Sequence, residues 1–581
     1  MSAQRRIVRR TAVAPAGDWP AHWPPLLQRV DAARGSTDAQ QALPRLADLL
    51  PFKGMSGIDA AVDLLQDAIA RDAHIVVVGD FDCDGATACA VGVRGLRMLG
   101  ATRVSHAVPN RIVHGYGMTP GLVEELAGLQ PDLLVTVDHG IACHAGIAAA
   151  KARGWQVLVT DHHLPGSTLP DADAIVDPNQ PGDTFASKAM AGVGVIFYLL
   201  LALRARRGVA ADLASLLDLV AVGTVADMVA LDANNRALVG AGLRRLRAGQ
   251  GCAGLRALIE VSGRDAASLG TADIGYAIGP RINAAGRLED MGIGIECLLA
   301  DDMDRARALA AVLHAINQER RGVQQQMTEE AEAALQQAAG DPSPAVSLFD
   351  PDWHPGVVGL VASKLKERLH RPAIAFAPVE PGSAMLRGSA RSIPGFHVRD
   401  ALALVDARHP GLIQRFGGHA MAAGLSLARA DLPAFREAFV QVAREMLTTD
   451  LLTDTLHSDG ALEAGDFGID TAIALRDGGH WGQGYPEPLF DGEFDVLGWR
   501  IVGERHLKLE LGLHGKRLNA IHFGGWDGDA PPSRVRIAYR LAPDDYGGGE
   551  AIQLLVVHRE AARPPGRGGS GRSRRVSGAN W

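Results

Sequence analysis

The sequence has 581 residues, which at about 150 residues per domain predicts roughly four domains. It carries 58 Lys and Arg against 66 Asp and Glu, and the formal net charge of −8 excludes a protein that coats nucleic acid through bulk positive charge. With 47% hydrophobic and 21% charged residues, the composition is that of a folded globular protein and excludes wholesale disorder.

The cysteines and the apolar pattern predict a cytoplasmic protein with no membrane anchor. Five cysteines are scattered and form no Cys-x-x-Cys pair, which disfavours a disulfide framework or a zinc–thiolate site and suits a reducing compartment. The N-terminal arginines are followed by several prolines instead of the apolar run of a signal peptide. The most apolar stretch, residues 191–203, is far shorter than the ~20 residues of a membrane span, so it predicts a buried helix.

Residues 1–50 form an N-terminal segment, and residues 51–300 have the pattern of an α/β domain. In that domain, short apolar runs alternate with segments of helix length, which predicts βαβ units and a parallel sheet. Ligands of such sheets bind beyond the carboxyl ends of the strands, so the residues that follow each run are candidates for a site. The runs are residues 74–78, 133–137, 156–160 and, more weakly, 174–176.

Four further regions follow the first α/β domain. Residues 301–340 predict one long helix that connects two globular domains, because apolar positions recur at three- and four-residue steps. Residues 341–450 predict a second α/β domain. Residues 455–560 contain short alternating runs spaced by turn residues, a pattern typical of a small antiparallel barrel. Residues 561–581 hold arginines, glycines and serines but no acid, which predicts a disordered basic tail.

Three aspartates, Asp80, Asp82 and Asp84, follow the first apolar run at alternate positions. Carboxylates gathered after a buried strand repel one another, so the arrangement predicts a bound cation. A cap for the following helix is the alternative role for Asp84. A calcium-binding EF-hand loop also begins with alternating acids, but it needs Glu at its twelfth position, where this sequence has Val91.

Acids and histidines also follow later apolar segments. Asp138 follows the second run, Asp161-His162-His163 follows the third, and Asp227 closes another apolar segment. Together these segments can converge on one crevice that offers oxygen and imidazole ligands but no sulfur. Such a set of donors suits Mn²⁺ or Mg²⁺ better than structural zinc.

These motifs make the sequence resemble the DHH phosphoesterase family, named for the triplet at residues 161–163, and within it the bacterial exonucleases specific for single-stranded DNA. The resemblance covers about residues 50–560. It implies a parallel-sheet DHH catalytic domain, a second α/β (DHH-associated) domain and a C-terminal barrel of the OB type. The motifs are, in order, Asp80 to Asp84, Pro109-Asn110-Arg111, Asp138-His139-Gly140, Asp161-His162-His163, Asp227, Arg281-Ile282-Asn283-Ala284-Ala285-Gly286-Arg287, Trp353-His354-Pro355-Gly356, Arg387-Gly388-Ser389-Ala390-Arg391, Gly417-Gly418-His419 and Pro486-Glu487-Pro488.

The resemblance implies a site with two divalent ions, Mn²⁺ or Mg²⁺, that hydrolyses a phosphodiester. The implied ligands are Asp80 and Asp82 for the first ion, Asp84, His162 and Asp227 for the second, and Asp138 as the bridge between them.

Asp161 and His139, which adjoin proposed ligands in the chain, are expected not to bind metal. Asp161 is expected to orient the histidines, since ligating imidazoles usually donate their second N–H to such a partner, and His163 is then free to contact the scissile phosphate. His139 is also expected not to be a ligand, because side chains of adjacent residues at a strand end diverge.

The resemblance further implies a pocket for a terminal 5′ phosphate. Arg111, Arg281 and Arg391 are its candidates, with help from Ser389 and His419, because arginine forks match phosphate oxygens with two hydrogen bonds.

The implied function is a 5′-to-3′ exonuclease that is specific for single-stranded DNA and releases nucleotides in DNA repair and recombination. A monomer that works with a single-strand-binding protein and a helicase is the implied setting. One alternative is a DHH enzyme that cleaves pyrophosphate or another small phosphodiester, but such enzymes lack the barrel. The other is a non-catalytic replication scaffold, against which the complete set of acids and histidines argues.

Overall fold

The N-terminal segment contains strand β1 (Arg5–Arg9) and helices α1 (Pro25–Ala32) and α2 (Ala39–Ala42). Residues 563–581 of the predicted basic tail lie outside the described part of the chain. The computed structural model describes residues 5–11, 13–15, 17–111, 113–337, 343–544 and 551–562.

A five-stranded sheet forms the centre of the first α/β domain. All neighbouring strands are parallel and the spatial order is β3-β2-β4-β5-β6, which confirms the predicted parallel sheet. Strand β3 was not predicted, because its sequence Val-Ser-His-Ala is half polar; it is an edge strand that pairs only with β2 and is less buried. The strands are β2 (Ile75–Val78), β3 (Val104–Ala107), β4 (Leu133–Val137), β5 (Gln156–Thr160) and β6 (Ala174–Val176).

Alternate residues of the central strands enter two different cores. Leu133, Val135 and Val137 of β4 join the large core of the domain, whereas Leu134 packs with Leu122 and other residues in a smaller core on the opposite face. The sheet is therefore covered on both sides, as its continuous apolar runs require. The helices of this part are α3 (Ile58–Ala70), α4 (Cys83–Met98), α5 (Pro120–Leu126), α6 (His144–Ala152) and α7 (Gly192–Arg207).

A layer of helices follows α7. Helix α7 contains the apolar stretch 191–203 and is almost fully buried over its first three turns, as predicted. No helix among the described residues is long and apolar enough to cross a membrane. The layer consists of α8 (Leu217–Ala226), α9 (Ala233–Arg247), α10 (Ala253–Ser262), α11 (Thr271–Asp273), a π-helical turn (Ile274–Ile278), α12 (Gly279–Leu288) and α13 (Gly292–Leu299).

The long helix predicted over residues 301–340 is α14 (Met303–Gln337), and residues 338–342 lie outside the described chain. Its 35 residues span about 53 Å at 1.5 Å per residue. Leu313 in its first half belongs to the core of the first domain, whereas Met327 and Ala331 belong to a core shared with the second α/β domain. The helix therefore joins the two domains through side-chain packing.

The second α/β domain has a mixed sheet in the order β10-β11-β9-β8-β7, in which only β7 and β8 pair in parallel. Three helices pack against this sheet. The elements are β7 (Val346–Phe349), α15 (Val358–Leu369), β8 (Ala373–Pro378), β9 (Met385–Arg391), α16 (Val398–Arg408), β10 (Arg415–Gly418), β11 (Ala422–Ala428) and α17 (Leu432–Met446).

A closed five-stranded barrel forms the C-terminal part, preceded by one strand and one helix. The predicted small barrel is confirmed, and four of its five strand pairs are antiparallel as expected. Strands β15 and β17 differ from the prediction, because they pair in parallel. A closed ring with an odd number of strands cannot alternate direction all the way round, so at least one pair has to be parallel. The elements are β12 (Asp454–Ser458), α18 (Ile469–Asp477), β13 (Phe490–Val502), β14 (His506–Leu513), β15 (Lys516–His522), β16 (Arg534–Pro543) and β17 (Ile552–Ala561).

The N-terminal segment is bound to this C-terminal part. Strand β1 pairs in parallel with β12. Arg9 donates two hydrogen bonds to the buried carboxylate of Asp491, at 2.9 and 3.1 Å. Arg34 donates two hydrogen bonds of 2.9 Å to Asp459 and a third to the Pro486 carbonyl at 2.6 Å. The basic N-terminus therefore has a structural role that its sequence did not indicate.

The substitution Arg34→Ala is expected to lower the free energy of unfolding by about 3 kcal/mol, because the buried carboxylate of Asp459 loses its two-hydrogen-bond partner and keeps only Arg10 at 3.5 Å and the Leu489 amide at 3.0 Å. The two side chains are only 1% and 2% exposed. Chemical denaturation measures the change. Arg206→Ala is the matched control: its pairs with Asp59 and Asp63 are solvent-exposed, so its loss should cost less than about 1 kcal/mol. Equal effects of the two variants would contradict a structural role for the Arg34 pair.

Candidate metal centre and phosphate pocket

The three aspartates that follow β2 lie on the tight turn into α4. Asp82 is the N-cap of α4 and accepts a hydrogen bond from the Gly85 amide at 3.0 Å. Asp84, in the first turn, accepts hydrogen bonds from the amides of Gly192 at 2.6 Å and Val193 at 3.0 Å, at the N-terminus of α7. A side chain in place of Gly85 would put a Cβ 2.5 Å from the Asp80 nitrogen, so only glycine permits this turn.

Asp138 follows β4 in the left-handed region, with φ +64°. Its amide donates to the Thr160 carbonyl at 3.1 Å, which ties the turn to the neighbouring strand. A Cβ at Gly192 would lie 2.5 Å from the Asp138 Cβ, so α7 can approach this turn only with glycine at its first residue. The Oδ1 atom of Asp138 lies 3.0 Å from Nε2 of His162.

Asp161 uses its carboxylate to orient its neighbours. Oδ1 accepts hydrogen bonds from the amides of His162 and His163 and from Nδ1 of His163 at 2.8 Å, and Oδ2 accepts one from the Ile141 amide at 2.9 Å. Burial raises the pKa of Asp161, but the hydrogen bond and the charge of His163 outweigh it and hold this pKa below its usual range. Burial alone would lower the pKa of His163, and Asp161 raises it to about 9.

The predicted ligands meet at the carboxyl edge of the sheet in three overlapping groups. Asp227 joins them from the C-terminal end of α8, with Oδ2 3.6 Å from Nε2 of His162. Within each group the ligand atoms lie within 4.8 Å of one another. The groups are Asp80, Asp82 and Asp138; Asp84, His162 and Asp227; and Asp138, His162 and His163.

The chemistry of these donors fits divalent cations. Oδ1 of Asp80 is buried and has no hydrogen-bond partner among the described residues. Oδ1 of Asp138 and Nε2 of His162 are also buried, and although they lie 3.0 Å apart, neither forms a hydrogen bond with a described residue. Burial, followed by the charge of Asp82, raises the pKa of Asp80 to about 8. Burial and the neighbouring carboxylates, Asp84 foremost among them, raise the pKa of Asp138 well above its usual value. Unpaired oxygens in such a cluster are stabilised by a cation that replaces the missing partners.

His139 lies apart from this cluster. Its ring is fully buried and Nε2 donates to the Val78 carbonyl at 3.1 Å, on the neighbouring strand. This contact fits the expectation that His139 is not a ligand.

Buried arginines lie beside the metal cluster. The Arg111 guanidinium is 3.9 Å from the centre of the Phe81 ring, and its Nε donates to the Gly286 carbonyl at 3.1 Å. On β9 of the second domain, Arg391 donates to the Ser389 hydroxyl at 2.9 Å. Burial, followed by the charge of Arg111, lowers the pKa of Arg391, so the two cations of different domains are close enough to repel each other.

Arg281 does not join this pocket. Its Nε donates to Nδ1 of His314 on α14 at 3.1 Å and its Nη1 to the Ala277 carbonyl at 2.5 Å. Arg287 lies closer to the pocket: it follows Gly286, whose carbonyl accepts the hydrogen bond from Arg111, and its Nη1 donates to the Gly356 carbonyl at 3.4 Å. Burial, followed by the charges of Arg111 and Arg391, lowers the pKa of Arg287 to about 9. The two arginines are six residues apart on α12, about 240° around the helix, and therefore point to different sides. This spacing is the signal that could have separated them in the sequence.

Two rings complete the site across the gap between the domains. The His419 ring, from the turn between β10 and β11, is stacked on that of His163 at 5.9 Å between centres. Tyr116 was not predicted; its hydroxyl donates to the Asp138 carbonyl at 3.3 Å and also lies 3.3 Å from Nδ1 of His163. The flanking Gly115 and Gly117 both have positive φ, and this pair of glycines is the only signal that the sequence offered.

A parallel sheet that gathers five carboxylates and two imidazoles at one edge, beside buried arginines, can hold cations and a phosphate together, which defines a phosphoesterase of the DHH type. Three family models match successive parts of the chain: the DHH family N-terminal domain over residues 74–224, the DHHA1 domain over 341–445 and the RecJ OB domain over 458–558. The chain belongs to the RecJ family of single-stranded-DNA-specific exonucleases.

Curated relatives match over nearly the full length. The single-stranded-DNA-specific exonuclease RecJ of Salmonella typhimurium is 47% identical over 96% of this chain and 99% of its own length. The Escherichia coli RecJ is 46% identical over 95% of this chain and 99% of its own length. Matches of this extent favour the exonuclease over the small-substrate enzyme and the scaffold that the sequence left open.

Solved structures of RecJ from Thermus thermophilus show the same fold. The complex with Mn²⁺ has a TM-score of 0.80 at 31% identity, and covers 97% of this chain and 80% of that chain. The complex with Mg²⁺ has a TM-score of 0.75 at 30% identity over similar shares, 97% and 79%. The relatives therefore bind the two ions that the donors of this site suit best.

The Asp161–His163 pair predicts a pH dependence of stability in the metal-free protein. The pKa of His163 is raised from 6.5 to about 9 on folding, so the pair stabilises the fold fully below pH 6.5 and loses this effect as the pH rises through 9. The melting temperature of metal-free wild type, minus that of His163→Gln, should therefore shrink from pH 6 to pH 10. A difference that stays constant or grows over this range would contradict the pairing.

Proposed function

We propose that this chain degrades single-stranded DNA from the 5′ end and releases nucleotides in DNA repair and recombination. The observation that carries the polarity is the position of the arginines. Arg111 lies over the ring of Phe81, the residue between Asp80 and Asp82, and donates to the carbonyl of Gly286, the residue before Arg287. If the terminal phosphate held by these arginines is a 5′ phosphate, as we propose, the next phosphodiester would lie at the carboxylates and hydrolysis would proceed from the 5′ end.

The ligand roles that we propose follow the three groups of donors. Asp80 and Asp82 would hold one Mn²⁺ or Mg²⁺ ion, Asp84, His162 and Asp227 the other, and Asp138 would contribute to both. When bound, two such ions lower the pKa of an attacking water and neutralise the charge that develops on the phosphate. The amides of α7 hold Asp84 in place, so little ordering of this ligand is needed when the ion binds.

His163 would contact the scissile phosphate. Because Asp161 accepts a hydrogen bond from Nδ1 and raises the pKa of the ring, His163 is a cation at neutral pH and can donate from Nε2 to a phosphate oxygen. Tyr116 and His419 pack against this ring and limit its movement.

Specificity for a single strand would follow from the contact across the domains. His163 and His419 belong to different domains and stack directly, so the passage beside them is narrow. One strand with its bases unstacked can enter such a passage, whereas a duplex cannot.

The setting that we propose is the cytoplasm, where the enzyme acts as a monomer with a single-strand-binding protein and a helicase. The five cysteines are unpaired, which suits a reducing compartment. The barrel, which matches the RecJ OB domain model, suits binding of the strand.

The polarity and the phosphate pocket can be tested together. With Mn²⁺ and a 5′-phosphorylated single strand, we expect mononucleotides from the 5′ end and little attack on blunt duplex. Arg391→Gln should lower the preference for a 5′ phosphate over a 5′ hydroxyl by about tenfold, since a hydrogen bond to a charged group is lost. Arg408→Gln, an exposed arginine paired with Glu445, is the control. Release from the 3′ end would refute the proposed polarity. An unchanged preference for the 5′ phosphate in Arg391→Gln would refute the role of Arg391 in the phosphate pocket.

Asp138→Ala should reduce turnover by at least about a hundredfold, because the proposed bridge between the two ions is lost. The number of Mn²⁺ ions bound per chain should also fall, whereas the circular dichroism spectrum should stay unchanged. Asp59→Ala removes an exposed carboxylate from α3 and should change neither property. Normal turnover by Asp138→Ala would show that the bridging role is wrong.

A further inference from the structure

A second group of cations lies on the other side of α12 from the phosphate pocket. We call it the Arg281 cluster; it consists of Arg264, Arg281, His314 and Arg321. Arg281 is only 7% exposed, and its hydrogen bonds go to neutral acceptors, the His314 ring and the Ala277 carbonyl. In the described part of the chain, no carboxylate oxygen lies within 4 Å of the guanidinium nitrogens of Arg281 or Arg321.

The cations of this cluster repel one another. Burial lowers the pKa of Arg281, and the charges of Arg321 and Arg264 lower it further. The pKa of His314 is lowered by burial and then by Arg281 and Arg321. Among the described residues, Arg264 is the one member of the cluster with a carboxylate partner, Asp273 at 3.3 Å. A buried arginine that faces other cations without a carboxylate is costly, and an anionic ligand would remove this cost.

An exposed aromatic residue directly precedes the residue to which Arg281 donates. Tyr276, on the π-helical turn, is 85% exposed, and Arg281 donates to the carbonyl of the following residue, Ala277. π-Helical turns are rare and occur often at functional sites. Cations next to an exposed ring form the usual combination for binding single-stranded nucleic acid, in which the phosphate meets the cations and the base stacks on the ring.

The cluster is also close to the proposed metal centre. Helix α12 carries Arg287 to the phosphate pocket and Arg281 to the cluster. Its first residue packs against the end of α8, where a Cβ at Gly279 would lie 3.2 Å from the Ala226 Cβ. Asp227, which directly follows Ala226 in the chain, is a proposed metal ligand. The metal ligand Asp227 and the cluster are therefore adjacent to the same end of α12.

We propose that the Arg281 cluster binds an internal phosphodiester of the single strand, on the 3′ side of the bond that is cleaved, with the attached base on Tyr276. This inference rests on the proposed function and deepens it. It gives Arg281 a different ligand from the terminal phosphate that the sequence suggested.

Steady-state kinetics with Mn²⁺ can separate the two sites through substrate length. The substrates are a 5′-phosphorylated thymidine dinucleotide, which is too short to span both sites, and a 5′-phosphorylated thymidine 20-mer. For the exposed Arg321→Gln, we expect KM for the 20-mer to rise about tenfold with little change in kcat. The ratio of kcat/KM for the 20-mer to that for the dinucleotide should therefore fall about tenfold. Arg281→Gln should change KM and kcat in the same way. Because Arg281 is buried, its substitution could prevent folding, and the exposed Arg321→Gln then still tests the inference.

The salt dependence is a second readout, because each phosphate contact with a single strand contributes about 0.7 to the slope of log(kcat/KM) against log salt concentration. Arg321→Gln should lower the slope for the 20-mer by about this amount. The control is Arg307→Gln on the same helix: its cation is paired with Glu260 at 2.9 Å, so the slope should not change. For the base, Tyr276→Ala should raise KM for the 20-mer, and Tyr276→Phe should restore it.

Three results would overturn the inference. Equal losses on the dinucleotide and the 20-mer would place Arg281 at the terminal phosphate. An unchanged salt slope in Arg321→Gln would exclude a phosphate contact. Normal DNA kinetics combined with lost binding of an aspartate-rich peptide would make the cluster a protein-docking site. Failure of the proposed function itself looks different, because the wild type would then attack the 3′ end or fail to cleave the single strand.

Discussion

The repulsion between carboxylates at the carboxyl edge of the parallel sheet is the constraint on which this structure depends. Asp80, Asp84 and Asp138 are buried, and burial is the largest cause that raises the pKa of each. The charge of a neighbouring carboxylate raises each pKa further: Asp82 acts on Asp80, Asp227 on Asp84, and Asp84 on Asp138. The fold stabilises Asp84 with two amides of α7 but leaves one oxygen of Asp80 and one of Asp138 without a partner. The cluster is therefore most stable when cations supply the missing interactions.

The backbone around the cluster is built to bring these charges close together. Three glycines are necessary because a Cβ would collide with a neighbouring part of the site: Gly85 with Asp80, Gly192 with Asp138, and Gly223 with Thr87 and Asp84. Gly85 and Gly192 each let a helix approach a strand end that carries a carboxylate, and Gly223 lets α8 approach the first turn of α4, where Asp84 lies. Close packing of backbone thus sets the distances between side chains that would otherwise move apart.

The arginines next to the cluster are kept from neutralising it. Within the described chain, Arg111, Arg287 and Arg391 form no ion pair with the aspartates. Arg111 lies over the Phe81 ring and donates to a carbonyl instead. If these cations paired with the carboxylates, the site would bind neither metal nor phosphate. The net charge of −8 therefore does not predict whether the site binds metal and phosphate, because that binding depends on the positions of the individual charges.

The sequence by itself determined the order of the domains, the strands that carry the site and the acids and histidines that meet at the edge of the sheet. Apolar runs with acids at their ends, such as residues 133–138, predict both a buried strand and the edge where its side chains converge, because both depend on local pattern. The tertiary structure decided the features that depend on contacts between residues far apart in the sequence. The polar strand β3 is stabilised by pairing with β2, the parallel pair of the barrel follows from ring closure, and the basic N-terminus is held by Asp491 and Asp459. Arg281 and Arg287 share one motif, and their different partners follow from the faces of α12 and the neighbours that pack against each face.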